Sequence, residues 1–381
     1  MRKLSICPKP YSVPTALALA ASIAGCAQNS AVPVRPVTVT TPAPNPTQAA
    51  SASPSPLPSA TSTTSATPTP LATHTPAPST TPSATALNIT QYSVAAGGQP
   101  YGITVGPDNN LWFTESGAVG KITTTGTNSE YPLSGDQNAA EGISSGPDGN
   151  LWFAIEGGYG QIGKVTTSGS ITTYQPSSQS GPADIVVGPD GNLWFTENAA
   201  SAIGKITTSG AITEYPTPGA STLSGDGPFG IVAGPDGNLW AAESNTGKIL
   251  KIAPSTGVMT EYPIPTSAAV PEKLTVGPDN NLWFTEHAGN KIGRITTAGV
   301  ITEYGPLATQ PWSITKGPDG NVWFTESTPT LAYIGKITTA GAITEYPTTA
   351  ESDEPIGIVT GPDGNLWVAE FGTRAIAKIV P

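Results

Sequence analysis

The sequence predicts an all-β chain, a seven-bladed β-propeller, on three observations. A Trp recurs at Trp112, Trp152, Trp194, Trp240, Trp283, Trp323 and Trp367, with gaps of 40, 42, 46, 43, 40 and 44 residues. Around each Trp, apolar and polar residues alternate over four or five positions, the period of a strand, and the segments are bounded by Gly, Pro, Asn and Asp. Four short strands in a repeat of about 43 residues make a propeller blade, and the Thr, Gly and Ile content denies the helices of a solenoid of similar period. The third observation is closure. The seventh unit stops at Lys378-Ile379-Val380-Pro381 with three strands, and Asn88-Ile89-Thr90-Gln91-Tyr92 upstream matches the missing Ile-Thr-Glu-Tyr strand. The N-terminal strand is expected to complete the last blade and lock the ring.

Residues 1–25 read as a sorting signal. Arg2 and Lys3 precede an apolar stretch from Thr15 to Ala24 that is too short to span a bilayer. Its end, Ile23-Ala24-Gly25-Cys26, resembles the bacterial lipobox, which implies cleavage before Cys26 and a lipid anchor on its thiol. An ordinary secretory cleavage site is the alternative. Gln28, rather than Asp, follows two residues after that cysteine, and by resemblance to Gram-negative sorting this points to the outer membrane or cell surface. Cys7 leaves with the signal, so the mature chain has no disulfide and no cysteine-based metal site.

Residues 26–85 read as a disordered tether. Thirteen prolines fall between Ala27 and Thr85, and no Asp or Glu precedes Asp108. Such a Pro/Ser/Thr/Ala mixture cannot bury enough apolar area to offset its ordering entropy. In polyproline form it would reach at most roughly 180 Å. The folded part is then 86–381. It carries 12 Lys and Arg against 27 Asp and Glu, a net charge of −15. That sign excludes nucleic acid, whose phosphates need cations. The domain is expected to be a monomer.

Each unit reads Pro-x-Gly-Ile, Gly-Pro-Asp-Gly-Asn-Leu-Trp-Phe-Thr-Glu, Ile-Gly-Lys-Ile-Thr-Thr and Gly-x-Ile-Thr-Glu-Tyr-Pro, most completely from Gly188 to Pro216. Gly-Pro-Asp-Gly-Asn is turn chemistry, in which Pro sets φ and Gly or Asn accepts positive φ. One Trp per blade in a fixed strand position reads as inter-blade core rather than a stacking surface. The single Asp of each turn is too little for a calcium loop. Gly163-Lys164 lacks the upstream Gly and following Ser or Thr of a phosphate loop.

Function must therefore come from positions where the repeats differ. The x of Pro-x-Gly-Ile enters the innermost strand near the channel mouth, and around the ring it is Tyr101, Glu141, Ala183, Phe229, Glu272, Trp312 and Ile356. Three aromatics and two carboxylates suit a partly apolar, cationic ligand; the alternative is that these side chains plug the channel.

The repeats Leu282–Thr296 and Ile-Thr-Glu-Tyr-Pro resemble the streptogramin B lyase family, also called virginiamycin B lyase, over nearly all of 86–381. The resemblance implies a seven-bladed propeller that linearises cyclic depsipeptides by Mg²⁺-assisted elimination, with two His and two metal-binding Glu. Glu354 matches one metal Glu. The catalytic His is replaced by Ile356, the second His by Trp312, and the second Glu by Phe371, with Glu370 one residue earlier. Of the two His in the chain, His74 lies in the tether and His287 reads as a surface residue of an inter-strand turn.

These residues favour an exported, lipid-anchored binding or interaction module, taking a small molecule or envelope component against Tyr101, Glu141, Phe229, Glu272 and Trp312. A lyase with a rearranged site, using Glu354 and Mg²⁺, is the alternative. A lactonase-like metal hydrolase is a third reading, but its Glu, Asn and Asp ligand mix is not visible at the inner positions.

Overall fold

The computed structural model describes residues 86–381, apart from 95–97, 135–139, 158–159, 178–179, 220–226, 349 and 351–352. The expectations for 1–25, for Cys26 and for the tether up to 85 lie outside the described residues. Within them the chain forms 28 strands arranged as seven four-stranded antiparallel sheets. The first blade runs outward through Pro100–Val105, Leu111–Glu115, Ala118–Ile122 and Asn128–Pro132. Each inner strand lies against the inner strands of both neighbouring blades, and the seventh, Pro355–Thr360, lies against the first. The inner strands therefore surround a central channel.

Closure follows the expected register. Asn88–Ser93 pairs antiparallel with Ala375–Val380, Asn88 opposite Val380 and Ser93 opposite Ala375. The strand is also tied down by side chains: Gln91 Nε2 donates to Glu370 Oε2 at 2.7 Å.

The blades are joined by a four-residue unit repeated round the ring. Each recurring Trp is fully buried, and its indole N–H donates to the turn Asp four residues earlier at 2.9–3.1 Å. A Lys, or Arg294 in the fifth blade, sits 5.0–5.5 Å over the indole. The outer-strand Tyr stacks on the same indole at 5.4–5.9 Å. The cation then reaches the next blade: Lys251 Nζ donates to Thr297 O at 3.1 Å, and Lys378 Nζ to Thr124 O at 3.2 Å across the seam. The Trp goes the same way, Trp112 packing with Leu151 and Phe153, and Trp367 with Leu111 and Phe113. Gly126 shows why the following turn needs glycine. Its φ is +93°, and a Cβ there would stand 2.1 Å from the Tyr92 ring of the preceding blade.

A second repeated feature is acidic. The Glu ending each second strand is buried in six blades, as Glu115, Glu197, Glu243, Glu286, Glu326 and Glu370. Near it lies a carboxylate that holds the loop leading into the blade: Glu303 Oε1 accepts from Thr266 N at 3.0 Å, and Glu345 Oε1 from Ala308 N at 2.7 Å. In three of the pairs, Glu197 with Glu214, Glu286 with Glu303 and Glu326 with Glu345, the carboxyl groups are hydrogen-bonded to each other, which requires a shared proton, and the buried member keeps it. Burial first, then the neighbouring carboxylate, pushes Glu115, Glu197 and Glu243 up to about 7, Glu286 and Glu370 to about 8 and Glu326 to about 9. The turn aspartates go the other way. Burial works to raise Asp236, but hydrogen bonds from Lys251, Trp240 and Asn238 hold it at about 2.

These shifts set the pH dependence of stability. The raised glutamates stabilise the fold fully below their ordinary value of 4.5, and that contribution is lost as pH rises through 7 to 9. The aspartates stabilise above 3.8 and fail as pH falls towards 2. Thermal unfolding followed by circular dichroism should give a melting temperature higher at about pH 4.5 than at about pH 8.5, by about 5 °C or more. A melting temperature that rises between those two conditions would contradict the proton-sharing assignment.

Candidate functional site

The channel mouth is shaped by a bulge in every inner strand. In the first blade Pro100 lies opposite Glu115, but Ile103 lies opposite Phe113, a slip of one residue, and the other six blades repeat it. A bulge breaks the ladder and re-aims side chains. The x residue sits in it. The Thr of Leu-Trp-Phe-Thr-Glu repairs the break: Thr285 Oγ1 accepts from Lys273 N at 3.0 Å in its own blade and donates to Trp312 O at 3.1 Å in the next. Thr196 holds Phe229 O at 2.7 Å in the same way, Thr325 holds Ile356 O at 2.7 Å, and Thr114 donates to Glu141 O. The hydroxyl of one blade thus positions the x residue of its neighbour.

Tyr101, Phe229, Glu272, Trp312 and Ile356 line a cavity of about 150 Å³ at this mouth. Glu141 stands beside it, close enough to act on Tyr101, while Ala183 is buried and does not line it. Glu272 is only 6% exposed, and its Oε2 is buried without a hydrogen-bond partner. Burial, only partly offset by Lys273, pushes Glu272 up to about 8. Burial raises Glu141 as well, helped by Glu156, with which it shares a hydrogen bond. Burial, followed by the carboxylates of Glu141, Glu272, Glu156 and Asp184, drives the Tyr101 phenol well above its usual range.

Three residues of the mouth are not evident from the x positions. Asp184 and Lys273 occupy the Gly position of Pro-x-Gly-Ile, where Gly230 shows the usual constraint: a Cβ there would meet Glu272 O at 2.3 Å. Asp184 Oδ2 lies 2.9 Å from Lys273 Nζ, and that ammonium is 5.1 Å over the Phe229 ring. The bridge links the third blade to the fifth past the fourth. The signal for it is the departure from Gly itself. The third residue is Glu156, four residues after Trp152, in the register that Phe371 holds in the last blade.

His287 corrects an expectation. It is not a surface residue: it is 8% exposed, its ring lies 4.2 Å from that of Trp312, and Nδ1–H donates to Pro311 O at 3.3 Å. The turn that carries it folds inward over the next blade, so the imidazole packs behind the mouth. Burial lowers its pKa despite that hydrogen bond, which keeps the ring neutral near pH 7.

The two positions implied for metal-binding Glu are neighbours, Phe371 N donating to Glu354 O at 3.1 Å, but only one of them holds an acid. Glu354 has a left-handed φ of 43° and lies outside the cavity lining. Glu370 accepts hydrogen bonds from Gln91 and Thr373 inside the seventh blade, and Phe371 offers no ligand atom. Among the described residues no group of three His, Cys, Asp or Glu is placed to hold a metal.

Comparison with known proteins places this geometry. The sequence matches the virginiamycin B lyase family over residues 79–224 and 220–381. It is similar to selenomethionine-substituted virginiamycin B lyase from Staphylococcus aureus, with 36% identity, a TM-score of 0.71, and coverage of 77% of this chain and 99% of that one. It is similar to a catalytically inactive histidine-to-alanine variant of that enzyme with quinupristin, at 35% identity, with the same TM-score of 0.71 and coverage of 77% and 99%. An extracellular domain from B. thetaiotaomicron shares the fold at 15% identity and a TM-score of 0.63, over 77% of this chain and 42% of that one. No curated protein matches in sequence.

If the Thr hydroxyls hold the mouth, Thr285→Val should cost about 1–3 kcal/mol in denaturant unfolding, because Lys273 N and Trp312 O both lose a partner. Thr302→Val, on an exposed outer-strand position, should stay within about 0.5 kcal/mol of the parent. Equal effects would show that the Thr285 bridge is dispensable.

Proposed function

The chain belongs to the virginiamycin B lyase family, and from that premise we propose that it is an exported, lipid-anchored binding module of the family. It takes a small molecule or cell-envelope component at the channel mouth and does not open cyclic depsipeptides.

One observation carries this reading. The two positions at which the resemblance requires imidazoles hold Trp312 and Ile356, both lining the cavity, while His287 is packed behind Trp312 with its Nδ1 engaged. An elimination needs a base that reaches the proton it removes, and a base near neutral pH is most readily an imidazole. In the similar S. aureus enzyme, replacing a histidine by alanine gives a catalytically inactive protein that was nonetheless crystallised with quinupristin. Binding and chemistry are thus separable on this scaffold. The residues left at the mouth, Tyr101, Phe229, Trp312, Glu141 and Glu272, suit contact and charge recognition. Membership in the family supports the scaffold, not the chemistry, since one fold hosts many functions. Export and anchoring rest on the segment ending in Ile23-Ala24-Gly25-Cys26 and on the proline-rich stretch after it. The stretch would let the propeller stand away from its membrane.

The alternative, a Mg²⁺-assisted C–O lyase with a rearranged site, draws on Glu354 alone. Incubation of the purified protein with quinupristin, with and without Mg²⁺, followed by chromatography with mass detection, separates the two. Unaltered quinupristin in both conditions is expected. A product of unchanged mass and shifted retention would be ring-opening elimination and would overturn the binding-module reading. A gain of one water would point to hydrolysis and overturn it equally.

A further inference from the structure

The mouth is unbalanced in charge. Among the described residues, Glu141, Glu156, Asp184 and Glu272 act on it, against the cation Lys273. Lys273 is engaged on one side of the ring, where its ammonium lies 2.9 Å from Asp184 and 5.1 Å over Phe229. That arrangement, a carboxylate beside an aromatic face, is the chemistry that recognises ammonium and guanidinium groups. Glu272 and Glu141 feel the same ammonium but are not bonded to it. Glu272 and Glu141 each keep a buried Oε2 with no hydrogen-bond partner, and Tyr101 and Trp312 supply the aromatic faces. A buried acid oxygen without a donor is costly until a donor reaches it.

We propose that the channel mouth binds an organic cation, whose ammonium or guanidinium group settles against Glu272 and Glu141 while Tyr101 and Trp312 cover its apolar part. The inference rests on the reading of the mouth as a ligand site and names the chemistry that site takes. The volume supports a head group rather than a whole large molecule. About 150 Å³ is below the roughly 300–1,000 Å³ of pockets that swallow drug-sized ligands. An anion is disfavoured by four surrounding carboxyl groups. Among the described residues no three acids are placed as a ligand set for a divalent metal.

Binding should be linked to protons. Lys273 beside it acts on Glu272, Glu141 and Tyr101 feel the charge of Glu272, and Asp184 and Glu156 act on Tyr101 in the same mouth. In the free protein Glu272, held at about 8, is protonated near neutral pH. A bound cation favours its carboxylate, so the proton leaves to solvent as the cation enters, and affinity rises with pH up to about 8.

The test is isothermal titration calorimetry of the full chain with choline, its uncharged tert-butyl alcohol analogue and arginine amide, each in two buffers of different ionisation enthalpy. The expected result is binding of choline or arginine amide at least about tenfold tighter than the uncharged analogue, with net proton release. Preference for choline would assign a small ammonium compound, and preference for arginine amide a basic side chain of a peptide. Glu272→Gln, which keeps the shape of the protonated acid, should weaken the cation about tenfold and abolish the proton release. Trp312→Ala should weaken it without changing the proton count. Equal binding of the charged and uncharged analogues would overturn the cation assignment but leave a ligand site at the mouth. Undetectable binding of all three probes would overturn the assignment, and retained ligand affinity in both variants would move the site away from the mouth altogether.

Discussion

The structure depends on one interaction repeated seven times: an indole held between its own blade and the next. The turn Asp orients the ring through its N–H, the outer-strand Tyr stacks on it, and a Lys or Arg lies within about 6 Å of both rings in the first blade and its equivalents before reaching into the following blade. Each component is small. A cation over an aromatic face contributes about 0.5–1 kcal/mol, and a partly exposed ion pair less. The burial of the Trp dominates, and the polar atoms around it make that burial free of unsatisfied donors. Because the unit crosses from blade to blade, it is also what converts seven separate sheets into a ring. The seam follows the same rule, through Tyr92 on Trp367 and Lys378 on Thr124.

An interface of this kind leaves little freedom at the repeated positions and much at the ends of the inner strands. The bulge at the start of each inner strand re-aims one residue per blade, and in four blades the Thr of the preceding blade fixes its carbonyl. Variation there changes what the mouth presents without disturbing the core. Among the residues at the mouth, Glu272, Trp312 and Ile356 differ in charge, shape and size, yet share one backbone arrangement. The family relation and the divergent site are therefore compatible. The scaffold is retained by the repeated unit, and the positions that would carry imidazoles lie outside it.

How far the sequence alone reaches follows from the same division. The number of blades, the core role of the Trp, the turn geometry and the closing strand were legible because each is written seven times, or is missing once and supplied elsewhere. Positive φ at Asn109, Gly149 and Gly191 in the Gly-Pro-Asp-Gly-Asn turns is the direct counterpart of that reading. The set of side chains at the mouth was legible in part, since Tyr101, Phe229, Glu272 and Trp312 fall at one position of the repeat. Asp184 and Lys273 were not, because their bridge spans residues 89 positions apart in the sequence, and no local pattern pairs them. His287 was misread for a related reason. A residue in an inter-strand turn is ordinarily solvated, but this turn leans over the next blade and places the imidazole against Trp312. The buried glutamates were likewise hidden. A Glu near the end of the second strand, as in six of the blades, looks like an exposed strand end until its depth and its acidic neighbour are known.

The central claim is that two kinds of Trp coexist in this chain, one that builds the ring and one that the ring displays. Equilibrium denaturation of Trp323→Ala and Trp312→Ala measures the difference most directly. Trp323, fully buried in the blade interface, should cost about 3–5 kcal/mol. Trp312, half-buried at the mouth, should cost about 1 kcal/mol. Equal losses would contradict the account, because they would make Trp312 part of the packed core and the mouth a plug rather than a site.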